Sequence, residues 1–331
     1  MTNTPDSVSS ASVPHPELSD DLPPVQPPSA GFIVQLFVVP GMIVAAVVLV
    51  WFAFGQIAAV EQDWRSLVEE LQSPNGHIRK LAMYGLLQVL EQDRRRGAEG
   101  KHLSSNREIA TSLAEQLTRE LKANSSSSDS LSFQEYLTRA VGLLDVPEVT
   151  MPPLRQALEP TRDIEIRKSG VASIALIAGR ALEKQAPLND PETVDALVQL
   201  SADSLPLMRQ TAAFALGLFE AEAAQQQLRV LLANSDWKTC VNAAIALSRH
   251  DKTDGLGVFK QALTAKPPEK AEEQAEYSMI VANSLRAITH LAPKMSESER
   301  AEFREILKPM VNDHADLRVR LDAQNALLSL K

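Results

Sequence analysis

Seven segments of this chain repeat one pattern of small and apolar residues at helical spacing. They begin at His77, Glu135, Glu165, Leu207, Lys238, Met279 and Arg318. Aligned on Ala82, Arg139, Gly170, Ala212, Ala243, Ser284 and Ala323, successive copies lie 57, 31, 42, 31, 41 and 39 residues apart. A period in this range is that of stacked helix pairs, in which no single unit buries its own apolar face. In the fourth copy Met208, Ala212, Ala215 and Leu216 share one stripe, and in the last Val319, Ala323, Ala326 and Leu327 do the same. Small residues on such a stripe let neighbouring helices approach closely, and the larger ones fill the seam. The first interval is long enough to hold an insertion.

Companion helices fit between these segments, starting near Arg107, Pro191, Ala221, Asp254 and Glu297. Several carry start signals: Asn106 ahead of Arg107, Asp190 followed by Pro191, and Ser296 with Glu299 three residues on. Breakers mark the turns at Ser73-Pro74-Asn75-Gly76, Lys266-Pro267-Pro268 and Ala292-Pro293. Loops or insertions are expected near 93–106 and 123–130, the latter reading ANSSSSDS. No stretch alternates with period two, so the expected class is all-α.

Ahead of the repeats, residues 31–54 hold 24 residues with no charge and one amide, Gln35. As a helix this stretch is roughly 36 Å long at ~1.5 Å per residue, against a hydrocarbon core of about 30 Å. Each central Val, Ile, Leu or Phe favours insertion by ~0.3–0.6 kcal/mol, and no Lys or Asp opposes it. A transmembrane helix over 31–56 is therefore expected, kinked at Pro40-Gly41 and ending in Trp51 and Phe52 at the headgroup level. A cleaved signal peptide has a basic start and a shorter apolar run, whereas residues 1–30 hold four acids and no Lys or Arg. Arg65, Arg79, Lys80, Arg94, Arg95 and Arg96 follow the span, which places residues 57–331 in the cytoplasm and the tail outside the cell membrane. Ile57, Val60, Trp64, Leu67 and Leu71 continue one apolar face, so a helix is expected to lead from the membrane into the first repeat.

The tail, 1–30, is rich in Pro, Ser and Asp and is expected to be disordered. It accounts for -4 of the formal charge of -9, leaving -5 on residues 55–331. That balance argues against nucleic acid as a partner, since a binder of phosphate chains concentrates basic charge on one face. A single cysteine, Cys240, excludes an internal disulfide and a multi-cysteine zinc site.

The segments IRKLA, IRKSG, MRQTAAFALG and VRLDAQNAL resemble the HEAT or armadillo-type family, especially its short bacterial HEAT-like repeats. The resemblance covers roughly residues 62–331. It implies an α-solenoid of about six to seven HEAT-like helix pairs, here preceded by one transmembrane helix, with second helices lining a concave face that often binds other proteins. The family's arginine matches Arg79, Arg167, Arg209 and Arg320, while Tyr136, Cys240 and Val281 stand in its place elsewhere, so a ladder of polar contacts built on it is expected to be interrupted. In the family such arginines join neighbouring repeats, and that structural role is the one expected here.

No catalytic residue, cofactor-binding residue or metal ligand is identified. None of the six histidines is followed by Glu, so the His-Glu pairs of HEAT-type iron hydroxylases are missing. His250, just past a helix end and followed by Asp251, reads as a cap, with a positive imidazole favoured by the helix dipole. Cys240 reads as a small buried side chain, and Arg94, Arg95 and Arg96 as a solvated helix end. The residues after the arginine position, Lys80, Leu137, Lys168, Gln210, Val241, Ala282 and Leu321, share no chemistry, which excludes a one-base-per-repeat code. No small-molecule substrate is evident. The expectation is a non-enzymatic scaffold that presents a curved surface to a protein partner at the membrane; the alternative is a HEAT-like lyase, or an enzyme subunit, acting on a prosthetic group.

Overall fold

A computed structural model describes Met42, residues 44–48, 63–123 and 125–331. Met42 and residues 44–48 are helical and exposed. The predicted tail, and the predicted span apart from those six residues, lie outside the described residues. Among the described residues no helix is long and apolar enough to cross a membrane.

Residues 62–331 form one unit, and its described residues contain fourteen α-helices and no strand. They run α1 Trp64–Glu70, α2 Gly76–Arg95, α3 Arg107–Ala123, α4 Ser128–Gly142, α5 Pro147–Ala157, α6 Ile164–Glu183 and α7 Pro191–Leu200. Then come α8 Pro206–Leu216, α9 Glu222–Leu231, α10 Trp237–Ser248, α11 Leu256–Thr264, α12 Ala271–Leu291, α13 Glu297–Asp313 and α14 Leu317–Ser329. Consecutive helices pack as seven pairs, and each even-numbered helix also packs on the even-numbered helices beside it. All seven predicted second helices are the even-numbered ones.

Local chemistry starts these helices where they start. Asp63, Asn75, Ser127, Asp163, Asp190, Asp236 and Asp316 each accept a first-turn N–H, an interaction worth ~1 kcal/mol at an exposed helix end. Ser296 and Glu299 form the reciprocal capping box the sequence predicts, with Glu299 N donating to Ser296 Oγ (3.3 Å) and Ser296 N to Glu299 Oε2 (2.7 Å). Asn106 caps α3 through Ile109 N at 3.1 Å.

Three details differ from the sequence expectation. Asp63, with extended backbone (φ -66°, ψ 111°), caps α1 at Trp64, so the helix expected to run through to Leu71 does not pass through Asp63, while Ile57 and Val60 lie outside the described residues. The serine-rich loop expected over 123–130 is shorter, because α3 runs through Ala123 and Ser127 caps α4 from Ser128 onward. The insertion expected near 93–106 begins only after Arg95 and is built as two 3-10 turns, Gly97–Glu99 and Leu103–Ser105. Buried Asp93 fastens it by accepting from the backbone N–H groups of Lys101 and Leu103 (2.6 Å for the latter).

The core runs between the two rows of helices. Ala82, Ala140, Ala212, Ala243, Ser284 and Ala323 are fully buried where even-numbered helices meet their neighbours. Closest approach falls at two points: a Cβ on Gly142 would stand 2.4 Å from Ser173 Oγ, and one on Gly217 would stand 2.5 Å from the Ala246 Cβ. Leu, Ile, Val and Phe fill the rest, with Phe219, Phe259 and Phe303 fully enclosed; each such side chain contributes roughly 1.5–3 kcal/mol of transfer free energy. Leu232 packs against both the large core, which ends at Leu247, and the smaller one continuing to Leu330.

Candidate functional site: the exposed face of the second helices

On α2, α8 and α10 the arginine position ties the second helix to the turn before it. Arg79 Nη1 donates to the carbonyls of Ser73 (3.0 Å) and Pro74 (3.1 Å), and Arg209 Nη1 donates to those of Asp203 (2.9 Å) and Ser204 (3.0 Å). Cys240 fills the same place, its thiol donating to the Asn234 carbonyl at 3.1 Å, six residues back as in both arginines. Burial raises the thiol pKa, which disfavours the thiolate in this setting. In α4 the register is one residue later than the sequence alignment gives. Ala140 is the fully buried small residue and Leu137 stands in the arginine's place, whereas Tyr136 and Arg139 are exposed.

At the arginine position the ladder is interrupted as expected, since Leu137, Cys240 and Val281 carry no rung to the next pair, but polar pairs at that and other positions link each pair to its neighbour. Arg79 meets Glu120 at 3.4 Å, Arg139 donates to Ser169 (3.2 Å), Arg167 pairs with Asp203, Gln210 donates to Asp236 (2.8 Å), Lys238 meets Glu276 (2.6 Å) and Arg286 meets Asp322 (3.1 Å). Each rung joins one pair to the next. Burial works against the Asp203 carboxylate, but hydrogen bonds from Arg167 and the Leu205 N–H, with the charges of Arg167 and Arg209, hold its pKa below the usual range.

His250 is a cap of a different kind from the one predicted. Its Nε2 lies 3.1 Å from the carbonyl of Gly217, the residue closing α8 in the preceding pair. Burial lowers its pKa, so near neutrality the ring is uncharged and donates one hydrogen bond to that carbonyl. Asp251, with φ at +60°, turns away to meet His290 (3.1 Å) and Lys294 (3.4 Å). Arg94 and Arg95 both clasp Glu91 on their own helix and are exposed, which is the solvated helix end the sequence predicts.

Beside these contacts one stripe of each second helix lies on the outer side of the row, its polar members partly engaged with neighbouring repeats. On α2 it runs His77, Leu81, Tyr84, Gln88; on α8 Leu207, Thr211, Phe214; on α10 Lys238, Asn242, Ile245, Arg249; on α12 Met279, Asn283, Arg286, His290. Spacings of four, three and four residues put each set on one side of its helix, and the shared register repeats that side from pair to pair. Eleven large apolar residues are exposed on second helices and one, Val230, on a first helix; that imbalance makes the second-helix row the more apolar exposed side. Tyr84 and Tyr136 meet edge to face with centroids 5.5 Å apart, and the Arg249 guanidinium lies 5.0 Å over the Phe214 ring. A recess lined by Trp237, Pro268, Tyr277 and Ile280 opens between α10 and α12. Among the described residues no group of His, Cys, Asp and Glu is arranged to hold a metal.

Residues 194–280 match the family described as HEAT repeats. The match covers 87 of the 331 residues. It spans α7 to the first half of α12, the stretch where the small-residue stripe is most regular. No curated protein is significantly similar to the chain. Among solved structures the chain is similar to the Escherichia coli protein YibA (16% identity, covering 83% of this chain and 96% of that one, TM-score 0.43). It is also similar to human deoxyhypusine hydroxylase (18%, 84% and 99%, 0.31) and to the CpcE and CpcF phycocyanin lyase complex of Nostoc (14%, 82% and 95%, 0.42). Likeness at this level carries no functional argument.

Proposed function

We propose that this protein is a membrane-anchored HEAT-repeat scaffold whose second-helix row binds a protein partner. The observation that carries the reading is the crowding of exposed large apolar side chains onto that row, from Leu81 and Tyr84 through Leu176 and Phe214 to Met279. Isolated exposed apolar residues are ordinary, but their gathering on six of the seven second helices, against one on the first helices, is what a binding surface requires and what stability does not. The anchor is residues 31–56, read from their length and lack of charge. Anchoring raises the effective concentration of a partner near the membrane without adding contacts. The solenoid then lies on the cytoplasmic side.

A photoreactive amino acid placed at Tyr84 or Phe214, and separately at Val230 on a first helix, tests the surface in native membranes. Crosslinks to one discrete protein from the second-helix positions and none from Val230 are expected. Equal capture at Val230 would remove the basis for the assignment. The anchor has its own test: removing residues 1–56 should release a helical protein into the soluble fraction, and continued pelleting of that fragment with membranes contradicts a single anchor.

A further inference from the structure

We infer that the partner of the stripe, over its C-terminal half, is a protein segment in which carboxylates stand beside large apolar side chains. The inference rests on the reading of this row as a protein-binding face, and it names the chemistry of the occupant. With Arg318 and Asp322 of α14 at the offsets from Ala323 that Lys238 and Asn242 have from Ala243, the Lys, Arg, Asp and Glu of the stripe from α8 onward are Lys238, Arg249, Arg286 and Arg318, against one carboxylate, Asp322. Two of the four cations are already answered, Lys238 by Glu276 at 2.6 Å and Arg286 by Asp322 at 3.1 Å. Arg249 is not. Its guanidinium lies over the exposed Phe214 ring at 5.0 Å and has no ion-pair partner among the described residues.

Stacking fixes the plane of that guanidinium and leaves its edge donors for a carboxylate, which a planar fork binds through two parallel hydrogen bonds. On α8 and α12, the helices either side, the same stripe carries Leu207, Phe214 and Met279, exposed by 44%, 44% and 57%. A cation set between apolar positions is the complement of an acidic segment with apolar anchors, and such complementarity sets partner choice and orientation. A nucleic acid fits less well. Its phosphates need closely spaced cations, whereas this row interrupts each cation with an apolar residue in an array of net charge -5.

The test uses the full-length chain in lipid nanodiscs, panned against a random dodecapeptide display library, with R249E and F214A as parallel targets. Peptides enriched on the parent chain should place Asp or Glu next to Leu, Phe or Trp. One of them, synthesised, should bind R249E about tenfold or more weakly, and its Asp/Glu→Lys analogue should not bind the parent. Enrichment of basic or uncharged peptides, no enrichment, unchanged affinity for R249E, or displacement of the peptide by polyuridylate each overturns the inference. If crosslinking from Tyr84 and Phe214 succeeds while the library yields nothing acidic, the inference fails alone; if both fail, the binding-face reading falls with it. Circular dichroism of R249E guards against unfolding, which a change at this exposed position does not require.

Discussion

Arg167, in the second helix of the third pair, donates to the carboxylate of Asp203 in the turn that precedes the second helix of the fourth. Only 6% and 10% of the two side chains is exposed. Asp203 also accepts from the Leu205 N–H at 2.9 Å, and its carbonyl accepts from Arg209. One acidic residue thereby fastens three elements from two repeats. The rest of the ladder is more exposed and is worth little rung by rung.

Replacing Arg167 with Met should strand the Asp203 carboxylate away from water and lower stability by about 3 kcal/mol. The double variant R167M/D203L should recover much of that loss, because the cost lies in the uncompensated charge. Thermal melts of the full chain in detergent measure both, and hydrogen exchange in α6 and α8 shows whether the damage is local. A single variant that melts like the parent rules out this junction as a structural tie.

Acid should unfold the array by way of the same carboxylates. Asp203, Asp145 and Asp236 all have folded pKa values below the ordinary one of 3.8, each through hydrogen bonds and cations that outweigh burial. They bind fewer protons folded than unfolded, so their contribution is full above the unfolded pKa and is lost as pH falls through the lower folded values. His250 acts higher on the scale: its folded pKa lies below 6.5, so stability also declines as pH falls from about 6.5 toward that value. Tm should be flat near pH 7–8, fall gently near pH 6 and steeply below about pH 4; His250→Gln should remove the gentle part and leave the steep one.

Much of this architecture is legible in the sequence because it is carried by local signals. Asp190-Pro191, Ser296 with Glu299, and the spaced alanines of α8 and α10 mean the same thing in any helical context. What escaped depends on neighbours. α5 contains Pro152 and Pro153, which remove two intrahelical donors and would ordinarily argue against a helix; packing of Met151, Leu154 and Ala157 into the core holds it. The register of α4 could not be settled without knowing that Ala140 faces the seam. The ladder was legible only where arginine carries it, since Gln210 with Asp236 and Lys238 with Glu276 are pairs that no spacing within one repeat reveals. The exposed stripe was hidden for the same reason: Leu81, Phe214 and Met279 look like core residues until the helix beside them is placed.

Glycine positions separate close approach from mere tolerance. Gly217→Ala places a methyl 2.5 Å from the Ala246 Cβ and 2.9 Å from its Cα, so α8 and α10 must move apart, at a cost of about 1–3 kcal/mol. Gly179, inside α6, has nothing within 4 Å of the added carbon, and Gly179→Ala should stabilise by about 0.5–1 kcal/mol through helix propensity alone. Opposite signs in paired thermal melts are the expected result. A loss at both positions would mean that the α8–α10 spacing is not what constrains Gly217.

Cys240 links the repeat pattern to a measurable reactivity. Its thiol donates to the Asn234 carbonyl from the position where Arg209 binds the Asp203 carbonyl, and only 5% of the residue is exposed. With the pKa raised by burial, little thiolate forms near neutral pH, and reagent cannot reach what does form. Native protein should therefore react with an aromatic disulfide reagent at least about tenfold more slowly than the same chain in denaturant. Because a thiol makes a weak hydrogen bond and packs as a small apolar group, Cys240→Ala should cost only about 1 kcal/mol. Rapid labelling of the folded protein would mean that α10 opens locally, and the junction between the fourth and fifth pairs would then be the flexible joint of the array rather than one of its fixed rungs.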